Sequence, residues 1–158
     1  MIALKPLAPE SIPLIAQWPP YPGDMEQMDY ALREQGWLAE YAGRPEAHLY
    51  GAHLEGELVA FSMLIETAPK EAEFRIALRA DRTGAGLGGE VTRLTLAEGF
   101  RAQDMTRIHL VVRTSNTRGI NLYRRLGFVE RGTLLKTVQG AVVEFIAMDL
   151  DRGALDAK

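Results

Sequence analysis

Arg82-Thr83-Gly84-Ala85-Gly86-Leu87-Gly88-Gly89 stands between an alternating stretch, Ala72 to Leu78, and an apolar repeat, Val91, Leu94, Ala97 and Phe100, that returns every three residues. The first pattern is that of a strand and the second that of a helix ending near Gln103, so a glycine-rich turn joins strand to helix. Small residues there let backbone N–H groups come close to an anion, and the helix N-terminus adds its own attraction for negative charge. A pyrophosphate is the natural occupant. Taken alone, the cluster reads equally well as a tight turn packed against a neighbour. It also satisfies G-x-G-x-x-G at Gly84, Gly86 and Gly89, the spacing of dinucleotide-binding turns. In those turns the strand runs almost directly into the first glycine, whereas Arg79-Ala80-Asp81-Arg82-Thr83 intervenes here, and the following strand ends in Arg113 rather than an acid. A Walker A loop is excluded, because Gly88 and Gly89 are followed by Glu90 and Val91.

Outward from this turn the chain reads as a mixed sheet. Arg107 to Arg113 is a strand, Asn116 can cap a helix running to Leu126, and Gly127 supplies a left-handed stop. Phe128 to Val138 and Ala141 to Leu150 are strands turned at Gln139-Gly140, with Asp151 to Lys158 as a polar tail. On the other side, Ala47 to Leu54 and Glu57 to Ile65 flank the turn Glu55-Gly56, a hairpin signal. Ile2 to Leu7 is a first strand and Ser11 to Trp18 a short helix. Trp18-Pro19-Pro20-Tyr21-Pro22-Gly23 must be a loop, and Asp24 to Tyr41 is a second helix by its apolar spacing. Antiparallel hairpins with one strand-helix-strand crossover predict an α+β fold.

Composition bounds the rest. With 158 residues, 47% apolar and 25% charged, the chain has the size and makeup of one ordinary globular domain, residues 1–158. No run is long and apolar enough to span a membrane, and the N-terminus lacks a basic segment followed by an apolar core, so cytoplasmic residence is the expectation. Cysteine is absent, which excludes a thiol nucleophile and thiolate metal sites. His48, His53 and His109 show no short ligand spacing, so no metal is expected. The net charge of -3 divides unevenly: residues 1–79 hold 12 acids and 6 bases, residues 80–158 hold 9 acids and 12 bases. A basic half suits a phosphate-bearing ligand and an acidic half a cationic one.

Three segments occur in a telling order: Glu73-Phe74-Arg75-Ile76-Ala77-Leu78, the glycine turn, and Asn116-Thr117-Arg118-Gly119-Ile120-Asn121-Leu122-Tyr123-Arg124-Arg125-Leu126-Gly127-Phe128. Together they resemble the GNAT N-acetyltransferases, and within them the branch of spermidine N-acetyltransferases and ribosomal-protein N-terminal acetyltransferases. The resemblance covers the C-terminal half well and the N-terminal half only by layout. It implies a mostly antiparallel sheet of six to seven strands, splayed between strands 4 and 5 and flanked by about four helices. It implies acetyl-CoA as cosubstrate. Backbone groups of Ile76, Ala77 and Leu78 would bind pantetheine, and Thr83, Gly84, Ala85, Gly86, Leu87, Gly88 and Gly89 the pyrophosphate. Thr83 departs from the family's Arg or Gln, a loss that neighbouring Arg82 would make good. Asn116 corresponds to a cofactor-contacting asparagine, and serves equally as a plain helix cap. Tyr123 corresponds to the tyrosine that protonates the departing thiolate, a role open to a phenol of pKa ~10; otherwise it simply packs beside Ile120 and Leu126.

The acceptor would be a small-molecule or peptide amine. An ammonium has no lone pair, so a base must deprotonate it. Some relatives carry a glutamate at the position of Val111, which leaves Glu73 as the first candidate, acting through water, with Glu144 and His109 behind it. The acceptor pocket is expected from the second helix, its preceding loop and the last strands, where Trp18, Tyr21, Asp24, Glu26 and Asp29 would favour a cationic amine. Nucleic acid and membrane partners are not expected, and a homodimer is a family-level expectation. The rivals are a noncatalytic acyl-CoA-binding module and a dinucleotide-binding domain.

Overall fold

Glu55 and Gly56 both adopt positive φ, 52° and 83°, the backbone that a two-residue hairpin turn needs. They join β2 (Ala47–Leu54) to β3 (Glu57–Ala68) in a computed structural model that describes residues 2–19, 37–82, 86–138 and 140–156. Before the hairpin lie β1 (Ile2–Pro6), α1 (Ser11–Ile15) and α2 (Trp37–Tyr41). After it come β4 (Glu71–Leu78), α3 (Leu87–Ala97), β5 (Arg107–Arg113), α4 (Thr117–Leu126), β6 (Val129–Val138), β7 (Ala141–Asp151) and α5 (Arg152–Asp156). The strands form a seven-stranded sheet in the order β1-β2-β3-β4-β5-β7-β6, antiparallel except for β4 and β5. That parallel pair holds register at Glu71↔Arg107, Ala72↔Ile108 and Glu73↔His109, and the register ends there.

The chain divides into two compact units. In the first, Met1–Ile65 with Arg75–Thr95, one core gathers Ile15, Trp18, Leu38, Phe61, Met63, Ile65 and Ala77. A second cluster packs Ile2, Ala52, Ala60 and Val91 against Ile76, Leu78 and Leu94. Alternation along β4 explains the division, since Ala77 serves one cluster while Ile76 and Leu78 serve the other. Ser62 and Thr95 are fully buried and share a 2.7 Å hydrogen bond that ties α3 to β3, and Thr95 also donates to the Val91 carbonyl. In the second unit, Glu66–Phe74 with Leu96–Lys158, β5 pairs β7 along its whole length. Ile108, Leu110 and Val112 point to the buried side. The helix-facing stripe Ile120, Tyr123 and Leu126 is buried as its spacing predicts.

Some boundaries move. Strand β3 runs three residues past Ile65, to a turn in which Lys70 takes φ 63°, and α1 stops at Ile15 rather than Trp18. The tail expected after Leu150 is instead the end of β7 and a short helix, α5, the fifth among the described residues. Arg152 anchors that turn through Asp104 at 3.1 Å, a contact across 48 residues that no local pattern announces. Of the helix expected over 24–41, only Trp37–Tyr41 falls among the described residues.

Asn116 caps α4, its side chain accepting from the Gly119 N–H at 3.0 Å, and Gly127 ends the helix in the left-handed conformation at φ 108°. Asn116→Ala should therefore cost about 1 kcal/mol of unfolding free energy, read from denaturant melts.

Candidate functional site

The turn that leads into α3 is built on strain only glycine avoids. Gly86 takes φ +80° and has open space where a Cβ would stand. A Cβ on Gly88 would meet Leu78 Cδ1 at 3.6 Å, an ordinary contact. Packing thus leaves room at Gly88, and Leu87 opens the helix. Thr83, Gly84 and Ala85 lie outside the described residues. Arg82, expected to replace the cation missing at Thr83, holds Glu57 at 2.8 Å, and Arg79 bridges Glu57 at 2.5 Å and Asp81 at 2.6 Å. Hydrogen bonds from Arg82 and Arg79 hold the Glu57 carboxyl below its usual range. Ile76, Ala77 and Leu78 lie past the last register pair of β4 with β5, where the resemblance implies the splay.

Tyr123 is buried among rings. It meets Phe74 edge-on with centroids 6.3 Å apart and Phe128 at 5.6 Å. Burial pushes its phenol up to about 12, so it stays protonated at any physiological pH. Asn116 at the head of the same helix is occupied as a cap, as one of its two readings requires.

Two of the three candidate bases, Glu73 and His109, share a face and the third does not. Glu73 neighbours Phe74 in sequence, so its side chain leaves β4 on the face away from Tyr123, beside its register partner His109. His109 shares a 2.8 Å hydrogen bond with Thr67 Oγ1. Burial and then the Arg107 charge lower its pKa, against Glu73, Glu71 and Asp149, which leaves a neutral imidazole at neutral pH. Glu144 neighbours Phe145, whose register partner is Arg113, so Glu144 leaves on the opposite face of β7. Asp149 is buried and accepts from Arg107 at 3.1 Å and Arg131 at 3.0 Å, while Arg107 also reaches Glu71 at 3.3 Å. Among the described residues no cluster of three or more His, Asp or Glu is placed to hold a metal. No helix of the described residues is long and apolar enough to cross a membrane.

Sequence reasoning passed over two aromatic stacks. In the second unit the Arg113 guanidinium lies 5.8 Å from the Phe145 ring centre and Lys136 Nζ lies 5.9 Å from it. In the first unit Arg44 and Arg75 lie 5.1 and 5.0 Å from the ring centre of Tyr41. Strand register makes the first pair and a fold contact the second, so neither shows as a motif. Of the residues expected in the acceptor pocket, Trp18 packs on Phe61 in the first core at 6.4 Å, and Tyr21, Asp24, Glu26 and Asp29 lie outside the described residues.

Residues 13–128 match the Acetyltransferase (GNAT) family. Spermidine N(1)-acetyltransferase of Escherichia coli (strain K12) is 30% identical over 83 residues, 51% of this chain and 45% of that protein. The match therefore spans less than half the length of this curated relative. Among solved structures, a chimera of Vibrio cholerae spermidine N-acetyltransferase superimposes with a TM-score of 0.83 at 21% identity, over 99% of both chains. Spermidine N-acetyltransferase from Vibrio cholerae in complex with CoA and spermine gives 0.80 at 19%, over 98% of this chain and 97% of that one. At these identities the likeness is one of fold.

The raised phenol pKa sets a pH dependence. The unfolded state loses this proton near ~10 and the folded state near about 12. The stability held by the neutral buried phenol is thus complete below ~10 and falls by up to about 1.4 kcal/mol per pH unit between the two values. Denaturant melts at pH 8 and 11 should show Tyr123→Phe gaining relative to the native chain at the higher pH; an unchanged difference would mean the phenol titrates as it does in water.

Proposed function

The chain belongs to the GNAT acetyltransferase family, and we propose that it moves the acetyl group of acetyl-CoA directly onto a primary amine. The observation that carries this is the turn before α3, where Gly86 at φ +80° opens a helix whose first residues include an unencumbered Gly88. Main-chain N–H groups at such a helix start suit a diphosphate. Residues 83–89 would hold the pyrophosphate of CoA, and the backbone of Ile76–Leu78 the pantetheine arm. The family match runs through both units, which supports reading residues 1–158 as one catalytic domain. Cytoplasmic residence and a homodimer belong to the same reading, on family grounds alone.

In this mechanism the neutral amine attacks the thioester carbonyl and no acyl-enzyme forms. Glu73, through water, takes the amine proton, with the neutral imidazole of His109 beside it as the alternative acceptor. The Leu78 N–H polarises the carbonyl as charge develops on its oxygen. Tyr123 then donates to the leaving thiolate. From a phenol at about 12 to a thiol of ordinary acidity near ~8.5, that transfer is uphill by roughly 5 kcal/mol. A turnover of ~10 per second corresponds to a barrier of about 16 kcal/mol, so the donor role fits within it. The position of Val111, where some relatives carry a glutamate, favours one rival, a module that binds acyl-CoA without turning it over.

An amine panel with acetyl-CoA, followed by free thiol release, separates these outcomes: binding without thiol release on any amine selects the module. Tyr123→Phe should lower kcat at least tenfold with CoA affinity nearly intact, and unchanged turnover across the panel removes the tyrosine from the chemistry. Gly88→Ala has space and a better helix former, so its melting temperature should hold or rise. Its CoA affinity should nonetheless fall severalfold, and normal affinity would mean the backbone makes no close approach to the ligand there.

A further inference from the structure

The part of β3 that runs past Ile65 carries Thr67 to a histidine two strands away. Thr67 Oγ1 lies 2.8 Å from His109 Nε2, although β4 stands between β3 and β5 in the sheet. The turn after β3 sets this reach. Its Lys70 carbonyl accepts from the Thr106 N–H at 2.8 Å, the Thr106 hydroxyl at 3.2 Å and the Arg107 N–H at 3.3 Å, and Lys70 Nζ lies 3.4 Å from Asp104. The turn is thereby fastened to the entry of β5, within the second unit. Charges act on the imidazole from three strands: Arg107 on β5, Glu71 and Glu73 on β4, and Asp149 on β7. Glu73 and Asp149 are its register partners on either side. Arg107 also holds Glu71 and, with Arg131, Asp149.

Thr67 is exposed while His109 is half-buried, so the hydroxyl is the more accessible end of the pair. A neutral imidazole has one nitrogen that donates and one that accepts, whereas a hydroxyl does both. With its O–H donated to Nε2, the Thr67 oxygen keeps lone pairs for a proton arriving from outside. As an N–H bond of the attacking amine breaks, a new O–H bond forms on Thr67 while its old one breaks and Nε2 gains the proton. Threonine is regenerated, and the imidazolium that forms is stabilised by the carboxylates of β4 and β7 until it returns the proton to water. Resting on the acetyltransfer reading, we propose that Thr67 relays the amine proton to His109, which makes His109 rather than Glu73 the final acceptor. Glu73 then serves as a neighbouring charge that favours the imidazolium.

Nitrogen NMR of the full chain, without substrate, reads the tautomer directly. Above the His109 pKa, Nε2 should show the shift of an unprotonated acceptor and Nδ1 that of a protonated nitrogen; a protonated Nε2 overturns the proposal. Thiol-release kinetics with acetyl-CoA and the fastest amine of the panel give the second test. Thr67→Val keeps the shape and loses the hydroxyl, so kcat should fall at least tenfold with the KM for acetyl-CoA and the melting temperature unchanged, and Thr67→Ser should restore most of the rate. In the native chain kcat/KM should fall as pH drops through a value below 6.5, and Thr67→Val and His109→Gln should each abolish that fall. The double variant should be no slower than the slower single one, because members of one relay fail together. Unchanged kcat in Thr67→Val, no recovery with serine, or multiplied losses in the double variant overturns the relay. Should Thr67→Val fail to fold, Thr67→Ala takes its place. Failure of the acetyltransfer reading shows separately, as absence of thiol release with every amine, and the nitrogen shifts still decide whether the hydroxyl donates to the ring.

Discussion

Two parallel neighbours in a sheet cannot be joined by a tight turn, and this constraint on β4 and β5 organises the molecule. The chain must leave the end of β4, travel back, and enter β5 beside the start of β4. Here the return is the glycine turn, α3 and one π turn, Glu98–Ala102, closed by the Met105 N–H on the Gly99 carbonyl at 2.9 Å. The pairing itself is short, three register positions, while β5 is held along its full length by β7. Strand β4 therefore ends in a stretch whose apolar side chains are anchored, Ala77 in one core and Ile76 and Leu78 in the other, past the reach of its parallel partner. The proposed function gives that backbone the pantetheine arm of CoA.

The crossover was legible because its parts obey local rules. Gly86 in the turn, the Asn116 cap, the Gly127 stop and the period of α4 each rest on interactions within a few residues, and each recurs in the structure. The Glu55-Gly56 turn is of the same kind. What the sequence hides is contact between distant segments. The short helix α5 depends on Arg152 finding Asp104, and the cation on Phe145 depends on the register that sets Arg113 opposite it. Neither spacing means anything until β7 has paired with β5. Glu73 and Glu144 illustrate the point from the other side: both are strand carboxylates, yet alternation sends them to opposite faces once Arg113 and Phe145 are in register.

Burial gives the two titratable groups of interest opposite tasks. For Tyr123 the neutral form is the protonated one, so the apolar surroundings of Phe74 and Phe128 fix a proton in place and raise its pKa to about 12. For His109 the neutral form is the deprotonated one, so partial burial frees a ring nitrogen to accept. In the proposed mechanism a donor and an acceptor are thereby both ready at one pH.

The position of Val111 turns this from convenience into requirement. A carboxylate there would sit two residues along the same face from His109 and Arg113, ready to pair with the guanidinium and serve as base. Valine removes both functions at once. In the proposed mechanism, proton acceptance then falls to another residue of that face. The Phe145 ring packs against the Arg113 guanidinium near the end of the strand. In that reading the single apolar residue at position 111 moves the base back along β5 to Glu73 and His109, which share a register position.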